Sequence, residues 1–356
     1  MDKWVAALGA VVQRINALRG DSVLGIDIGS SSIKIVELRS GSPKPILETY
    51  GIIELASYEQ HTPKEGLHAD MDKRGQAILD LLHEVGASAS SAGMSLPLSK
   101  VFISLIDTLK RDEKQLQRII QTEAKRYIPV PIETVTLVWQ IIREPESGSA
   151  FTHAEKKQVE SPSMHKIILV ATRNETLDEY QKIANDAHLY VPFYEAEVFS
   201  ALRSLPQMRG APFLIMDIGI SGSKIYIADD QGNAIDTHYL ETISTGGRAS
   251  SETIVRLAEA ASRMVHTYNT AHPGSIAMCV LAGGGALVPE MAPYMTHALQ
   301  LPVKRADPFA EVRTPMILED VLRDVGPLYT VACGLALRAL SENGSVIEKM
   351  RTYFAR

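Results

Sequence analysis

The chain has 356 residues, of which 45% are hydrophobic and 22% charged, the proportions of an ordinary globular protein. This length exceeds what one hydrophobic core usually organises, so two domains are predicted. The 36 basic and 42 acidic residues give a formal charge of -6, which leaves no basic footprint for nucleic acid. The two cysteines, Cys279 and Cys333, lack metal-ligand spacing and are predicted to be buried thiols.

Residues 1–21 have an amphipathic pattern. Apolar residues recur at helical spacing at Trp4, Leu8, Val11, Ile15 and Leu18, which predicts a helix with one apolar stripe. Polar residues interrupt the apolar run, so neither a secretory signal nor a membrane-spanning helix fits. Two alternatives remain open: the helix packs on its own domain, or it lies on a membrane surface. We expect a cytoplasmic protein that is at most peripheral to a membrane.

The first half of the chain reads as strands interspersed with single helices. The stretches VLGIDI, SIKIVEL and PILETYGIIEL, between 23 and 55, predict three consecutive strands, followed by a helix over about 72–85. VFISLID predicts a strand before a helix that ends at Pro129. TVTLVWQII and HKIILVAT predict strands on either side of a polar loop over 143–164. Asn174 is predicted to cap the next helix.

The second half repeats the opening arrangement. The Pro and Gly residues of PQMRGAP, 206–212, predict a domain boundary. FLIMDIG, SKIYIADDQ and NAIDTHYLE then predict three strands, followed by a helix over 251–268. Both halves therefore begin with the unit β-β-β-α.

The two halves also share a turn. LGIDIGSSSIKIVEL, 24–38, and LIMDIGISGSKIYIA, 214–228, match at seven of fifteen positions. A Gly-rich hairpin turn points backbone N–H groups into one concavity that suits phosphate, and an Asp at the end of the strand can hold Mg²⁺ through its waters. Turn conformation alone also favours Gly, Ser and Asp. The candidate phosphate-binding residues are Asp27, Gly29, Ser30, Ser31, Ser32 and Lys34 in the first turn and Asp217, Gly219, Ser221 and Lys224 in the second, with Asp27 and Asp217 as the Mg²⁺ candidates.

A third glycine-rich element, VLAGGGALVPEM at 280–291, runs from an apolar strand into a helix. Its glycines, Gly283, Gly284 and Gly285, allow the backbone to approach a ligand closely. The same glycines would also suit a turn that requires positive φ.

These three elements together resemble the phosphate and adenosine motifs of the actin/Hsp70/FtsA superfamily. Within it the chain resembles the PilM family of type IV pilus assembly proteins over about 22–341, most specifically at EAKRYIPVPIETVTLVWQ, DPFAEV and VGPLYTVACGLALRAL. The resemblance implies an α/β bilobal actin-like fold, a duplicated ribonuclease H-like unit. The first domain would comprise 22–97 and 181–209, closed by 327–341, with an inserted subdomain at 98–180. The second domain would comprise 210–326, with a shortened subdomain where the family covers the nucleotide base.

The resemblance also implies ATP and Mg²⁺ as ligands between the lobes. Glu197, at the start of a helix, matches the water-orienting position of the Hsp70 branch, although an acid in the first turn of a helix also simply suits the helix dipole. The implied activity is at most a slow ATPase, or a scaffold with a vestigial site.

The family resemblance implies a cytoplasmic adaptor, peripheral to the inner membrane through its partner. The expected partner is the cytosolic N-terminal peptide of a PilN-like membrane protein, with other pilus platform proteins and the chain itself as further partners. The peptide would lie in a cleft between the first domain and the insert. Its expected wall is Ile103, Leu105, Leu116, Ile120, Tyr127 and Ile128, of which Tyr127 and Ile128 are best placed to line an opening. The alternative is that all six are core residues, which is favoured for Leu116 and Ile120. The alternatives are an ATP-dependent small-molecule kinase and a filament protein like FtsA or MreB.

Overall fold

The structure is a computed structural model that describes residues 22–61, 72–109, 113–142, 164–241, 244–245, 248–272 and 275–354. The predicted N-terminal helix lies outside the described residues. Two compact units make up the chain: Ser99–Asp178 forms one, and Met1–Leu98 together with Glu179–Arg356 forms the other. In the part of the chain that the structure describes, every helix is too short or too polar to cross a lipid bilayer.

The secondary-structure elements alternate along the chain. The strands are β1 (Ser22–Ile28), β2 (Ser32–Arg39), β3 (Ile46–Glu54), β4 (Ser91–Leu96), β5 (Val101–Leu109), β6 (Val135–Ile142), β7 (Met164–Arg173), β8 (Tyr190–Ala196), β9 (Phe213–Ile218), β10 (Gly222–Ala228), β11 (Ala234–Glu241), β12 (Ser244–Thr245), β13 (Arg248–Ala249), β14 (Cys279–Ala282) and β15 (Val303–Arg305). The helices are α1 (Leu55–His61), α2 (Lys73–Glu84), α3 (Glu113–Tyr127), α4 (Asn174–Asp186), α5 (Glu197–Arg203), α6 (Ser251–Ala271), α7 (Met291–Leu299), α8 (Glu319–Val325) and α9 (Thr330–Phe354).

Two five-stranded sheets in the larger unit have the same strand order. The first lobe contains β3-β2-β1-β4-β8 and the second contains β11-β10-β9-β14-β15. In each sheet, the first three strands of the lobe pair in antiparallel orientation. The remaining two strands run parallel to the lobe's first strand, which is β1 in one lobe and β9 in the other. This repetition confirms the duplicated, bilobal α/β fold predicted from the sequence.

The long helix α9 closes the first lobe by direct contact with backbone. A Cβ at Gly25 of β1 would lie 1.9 Å from the carbonyl oxygen of Ala332, and one at Gly334 would lie 1.8 Å from that of Ser200 in α5. Glycine at these two positions therefore allows α9 to lie directly on a strand and on a helix. The small residues of TVACGLAL serve this packing, since Ala332 and Ala336 are fully buried.

One segment packs differently from the expected domain boundaries. Residues 306–326 follow the last strand of the second sheet, and the family resemblance assigns them to the second domain. Phe309, Val312 and Leu322 belong instead to a core cluster with Val36 and Leu38 of the first sheet. Apolar residues of the 306–326 segment thus already pack on the first sheet before α9 begins. The sequence pattern does not reveal this packing.

In the residues that the structure describes, the smaller unit is a three-stranded antiparallel sheet with α3 on one face. Its strand order is β5-β7-β6, and α3 packs on the sheet to form a core that includes Ile106, Leu116 and Leu169. Asn174, the predicted helix cap, is the first residue of α4 and makes side-chain hydrogen bonds with Thr136 and with the carbonyl of Glu133.

Candidate functional site

The first glycine turn holds an ordered carboxylate. Asp27 and Lys34 are cross-strand partners in the β1–β2 hairpin, and Lys34 Nζ lies 3.5 Å from Asp27 Oδ2. The Ser95 hydroxyl donates to Asp27 Oδ1 at 2.8 Å and accepts from the Ile28 N–H at 3.1 Å. Ser95 comes from the neighbouring strand β4, so sequence spacing could not reveal its part in the site.

The second turn repeats this arrangement. Asp217 and Lys224 are cross-strand partners in the β9–β10 hairpin, and Lys224 Nζ lies 3.4 Å from Asp217 Oδ2. Ser30 and Ser221, at the tips of the two turns, are exposed. Each turn thus presents backbone and hydroxyl donors beside an Asp–Lys pair, which is a chemistry suited to an anion.

The third glycine element meets the second turn. β14 runs parallel to β9 with Ala282 opposite Asp217, and Gly283 follows with φ 73°. A Cβ at Gly283 would lie 2.3 Å from Asp217 Oδ1. Glycine is therefore needed both for the backbone conformation and for the close approach. Gly285 packs in the same way on Ile218.

Glu197 links the two lobes and has both carboxylate oxygens engaged. Its Oε1 accepts the N–H of Leu98 at 2.6 Å, and its Oε2 forms an ion pair with Lys224 Nζ at 2.9 Å. Glu197 begins α5 of the first lobe, whereas Lys224 lies on β10 of the second. In this conformation Glu197 serves as an interlobe tie, and each of its oxygens already has one protein partner.

The electrostatics of this tie follow from burial and from neighbouring charges. Burial raises the pKa of Glu197, against the lowering effect of Lys224. Burial alone would lower the pKa of Lys224, but the carboxylates of Asp217, Glu197 and Asp27 outweigh it and raise this pKa well above its ordinary value. Lys224 is therefore held as a cation among three acids.

The residues fit the phosphates of a nucleotide better than its base. The charge of Asp27 in the first turn acts on Lys224 of the second, so the two Asp–Lys pairs lie near each other, an arrangement that suits phosphates. Among the described residues, no group of three or more His, Cys, Asp or Glu side chains is placed to hold a metal ion directly, so a role for Asp27 and Asp217 toward Mg²⁺ would run through water. Between β13 and β14 the described residues contain the single helix α6, in accordance with a shortened second-lobe subdomain.

The six residues expected to line a peptide groove do not share one surface. Leu116, Ile120 and Ile128 belong to the core of the smaller unit, so the expectation that Ile128 lines an opening is wrong. The side chain of Ile128, just after the last turn of α3, points into the core. Helical periodicity alone does not predict this orientation. Tyr127, 48% exposed, ends the helix on one side of the sheet.

Ile103 and Leu105 lie on the other side. Residues that alternate with Phe102 and Ile106, which face α3, point to the opposite face of the sheet. There Ile103 pairs with Val170, which pairs with Val138, and Leu105 pairs with Ile168. We call this surface, formed by Ile103, Leu105, Val138, Ile168 and Val170, the outer sheet face. Leu105 is 38% and Val138 61% exposed.

Comparisons with known proteins agree with this architecture. A family model described as type IV pilus assembly protein PilM matches residues 25–262 and 253–340. The solved structure of a PilM–PilN type IV pilus biogenesis complex superposes with a TM-score of 0.72 at 23% identity, over 89% of this chain and 98% of that chain.

Two weaker likenesses lie further away. The cytoplasmic domain of EpsL, an inner-membrane component of the type II secretion system of Vibrio cholerae, gives a TM-score of 0.45 at 9% identity, over 91% of this chain and 95% of that chain. MreB 5 of Spiroplasma citri bound to AMPPNP gives 0.42 at 12% identity, over 92% and 98%. Likeness at this level carries no argument about function.

Proposed function

The chain belongs to the family of type IV pilus assembly protein PilM, and from that premise we propose that it is a cytoplasmic adaptor of a pilus inner-membrane assembly platform. The observation that carries this proposal is the family match, which extends through both lobes and the insert. The adaptor would be peripheral to the inner membrane, held there by its partner.

The proposed partner is the cytosolic N-terminal peptide of a PilN-like membrane protein. The similar solved structure is a complex of PilM with PilN, which supports a partner of this class here. An extended peptide gains affinity from main-chain hydrogen bonds at a strand edge and specificity from pockets for alternate side chains. β5 and β6 are the outer strands of the three-stranded sheet, so both offer an edge within the described residues.

Of the two exposed surfaces of the insert, the outer sheet face is the better peptide site. It places several partly exposed apolar side chains in adjacent cross-strand rows, and contiguous exposed apolar surface marks interaction sites. Tyr127, by contrast, follows the exposed charged residues Lys125 and Arg126 at the end of α3. A short peptide cannot contact both surfaces at once, because they lie on opposite sides of the sheet.

Calorimetric titration of the full chain with the synthetic N-terminal peptide of the PilN-like protein from the same genome tests this proposal. Saturable binding is expected, absent with a scrambled peptide. Leu105→Ala should weaken the affinity by roughly 1 to 3 kcal/mol, the range for loss of an apolar anchor.

Matched variants locate the site. Tyr294, 40% exposed on α7 of the second lobe, provides the control, and Tyr294→Ala should leave the affinity unchanged. Should Tyr127→Ala weaken binding while Leu105→Ala does not, the peptide lies on the helix side. No binding to the wild-type chain would refute the adaptor proposal itself.

A second part of the proposal concerns nucleotide. We propose that the paired turns bind ATP with Mg²⁺ through its phosphates, where the metal would neutralise phosphate charge when bound. Lys34 and Lys224 would supply cationic contacts, and the two turns would supply N–H donors. Hydrolysis should be slow or absent, because Leu98 and Lys224 hold the Glu197 carboxylate in the interlobe tie.

Titration with Mg-ATP at millimolar concentration tests the nucleotide proposal separately. Asp27→Ala and Lys34→Ala should each weaken binding by roughly 1 to 3 kcal/mol, as expected for loss of a charged hydrogen-bonding partner. Lys304→Ala, at an exposed lysine on β15, is the control. If the wild-type chain binds no ATP, the site is vestigial and the adaptor role rests on the fold alone.

A further inference from the structure

The second glycine turn offers fewer hydroxyl groups than the first. The two turns align without a gap between their Asp and Lys residues, and Ile220 and Gly222 then stand where the first turn has Ser30 and Ser32. The next hydroxyl along the chain, that of Ser223, belongs to a fully buried residue of β10. The second turn therefore has fewer side-chain donors for an anion than its counterpart.

An aromatic side chain covers the glycine of this turn. A Cβ at Gly222 would lie 2.3 Å from the hydroxyl oxygen of Tyr239 and 2.6 Å from its ring atom Cε2. Glycine is therefore needed at this position to admit the tyrosine. The hydroxyl of Tyr239 lies about where a serine at position 222 would place its own side chain.

The first lobe has a different pair of residues at the equivalent positions. Ile52 is the cross-strand partner of Lys34, as Tyr239 is the partner of Lys224. Ile52 and Tyr239 are exposed to the same extent, 39% and 40%. The first lobe thus combines a serine in the turn with an isoleucine on the neighbouring strand, whereas the second combines a glycine with a tyrosine. The hydroxyl has in effect moved from the turn to the adjacent strand.

Tyr239 lies on the face of the second sheet that carries Lys224. Directly opposed residues of an antiparallel pair have their side chains on the same face, and on this face Lys224 reaches Glu197 of the first lobe at 2.9 Å. Ile225 and Ile227 of β10 belong to the core of the second lobe, on the opposite face. Tyr239 therefore stands outside that core, beside the Asp–Lys pair of the second turn.

The chemistry of this hydroxyl suits a phosphate. A tyrosine hydroxyl donates one hydrogen bond, and a hydrogen bond to a charged acceptor is stronger than one between neutral groups. Within the ranges that the structure describes, no residue forms a hydrogen bond with the Tyr239 hydroxyl. The ring also covers a glycine, which by itself stabilises a strand, but that packing does not require the hydroxyl.

We propose that the Tyr239 hydroxyl donates a hydrogen bond to a phosphate oxygen of the nucleotide at the second turn, where it replaces the serine hydroxyl of the first turn. This inference rests on the proposed nucleotide site. It adds to that site a phosphate-binding residue that lies outside both glycine turns, on the edge strand β11.

Calorimetric titration of the full chain with Mg-ATP tests the inference through Tyr239→Phe. Phenylalanine keeps the ring over Gly222 and lacks only the hydroxyl, so thermal unfolding should match that of the wild type. The affinity should fall roughly 10-fold, as expected for loss of a hydrogen bond to a charged group. Tyr294→Phe, at an exposed tyrosine on α7, is the matched control and should bind as the wild type does.

A double variant tests whether the hydroxyl can return to the turn. Gly222→Ser with Tyr239→Ile reproduces the serine and isoleucine of the first lobe, and it should recover most of the affinity that Tyr239→Ile alone loses. A folded double variant without recovery would overturn the inference.

The same titrations separate this inference from the nucleotide proposal. If the wild-type chain binds Mg-ATP and Tyr239→Phe binds it equally well, Tyr239 serves only to pack on the glycine and this inference alone fails. If the wild-type chain binds no Mg-ATP, the inference fails together with the nucleotide proposal.

Discussion

Replacing Lys224 by Met should destabilise the larger unit strongly. The Lys224 ammonium group lies 2.9 Å from the carboxylate of Glu197 and 3.4 Å from that of Asp217. Its removal leaves these two carboxylates without this compensating positive charge. Breaking a buried pair by removing one partner costs about 3 to 5 kcal/mol, because the remaining charge is uncompensated. For a unit of this size that loss should lower the unfolding temperature by at least about 6 °C.

The loss should also depend on pH. The folded-state pKa of Glu197 is already raised above 4.5 by burial, and without Lys224 it should rise further. A carboxyl group whose pKa is higher in the folded than in the unfolded state makes the protein less stable as pH rises from the unfolded-state pKa through the folded-state pKa. Lys224→Met should therefore be more destabilising at about pH 8 than at about pH 5, where Glu197 can take up a proton.

Denaturant unfolding followed by circular dichroism at both pH values measures this effect. Arg263→Met is the matched control, since Arg263 pairs with Glu259 at 4.0 Å and the two side chains are 71% and 62% exposed. An exposed pair contributes about 0 to 1 kcal/mol. A cost for Lys224→Met below about 1 kcal/mol at both pH values would refute the reasoning that the interlobe tie is a buried, mutually dependent pair.

Three further predictions concern packing, acid stability and the glycine element. Gly334→Ala should lower stability by about 1 to 3 kcal/mol or more, because its Cβ would meet an α5 carbonyl at 1.8 Å; chemical denaturation decides it, since Ala for Gly within a helix ordinarily stabilises by about 1 kcal/mol. Burial alone would raise the pKa of Glu195, but hydrogen bonds and charge from Arg203 lower it overall. The contribution of Glu195 to stability is therefore present above about pH 4.5 and lost as pH falls through the folded-state pKa. In a denaturation series toward acid, the stability difference between wild type and Glu195→Gln should shrink. Gly283→Ala places a Cβ 2.3 Å from Asp217 Oδ1 at φ 73°, so it should cost about 1 to 3 kcal/mol and weaken Mg-ATP binding by titration.

The strands of both lobes are predictable from sequence because their apolar residues recur in short, bounded runs. β1 and β9 are buried almost throughout, which produces the runs VLGIDI and FLIMDI. β4, SAGMSL, is equally buried, yet its small and polar residues give no such signal. The place of β4 in the sheet depends on a tertiary contact with β8. A Cβ at Gly93 would lie 2.4 Å from Cζ of the Phe193 ring.

The site divides in the same way between local and distant partners. The cross-strand pairing of Asp27 with Lys34 follows from the hairpin register, which the sequence repeat makes visible. The hydroxyl of Ser95 and the double engagement of Glu197 depend on residues far apart in the chain, so no spacing indicates them. In the insert, helical periodicity identifies the apolar residues of α3 but does not separate the buried Ile128 from the exposed Tyr127 at its end.

Photo-cross-linking in cells tests the proposed adaptor role most directly. A photoreactive amino acid at Leu105, on the outer sheet face, should give a covalent product with a PilN-like inner-membrane protein, identified by mass spectrometry. The same amino acid at Tyr294, exposed on α7, should give none. If neither Leu105 nor Tyr127 yields a product with such a protein while the variants fold and accumulate normally, the chain does not act as the proposed adaptor.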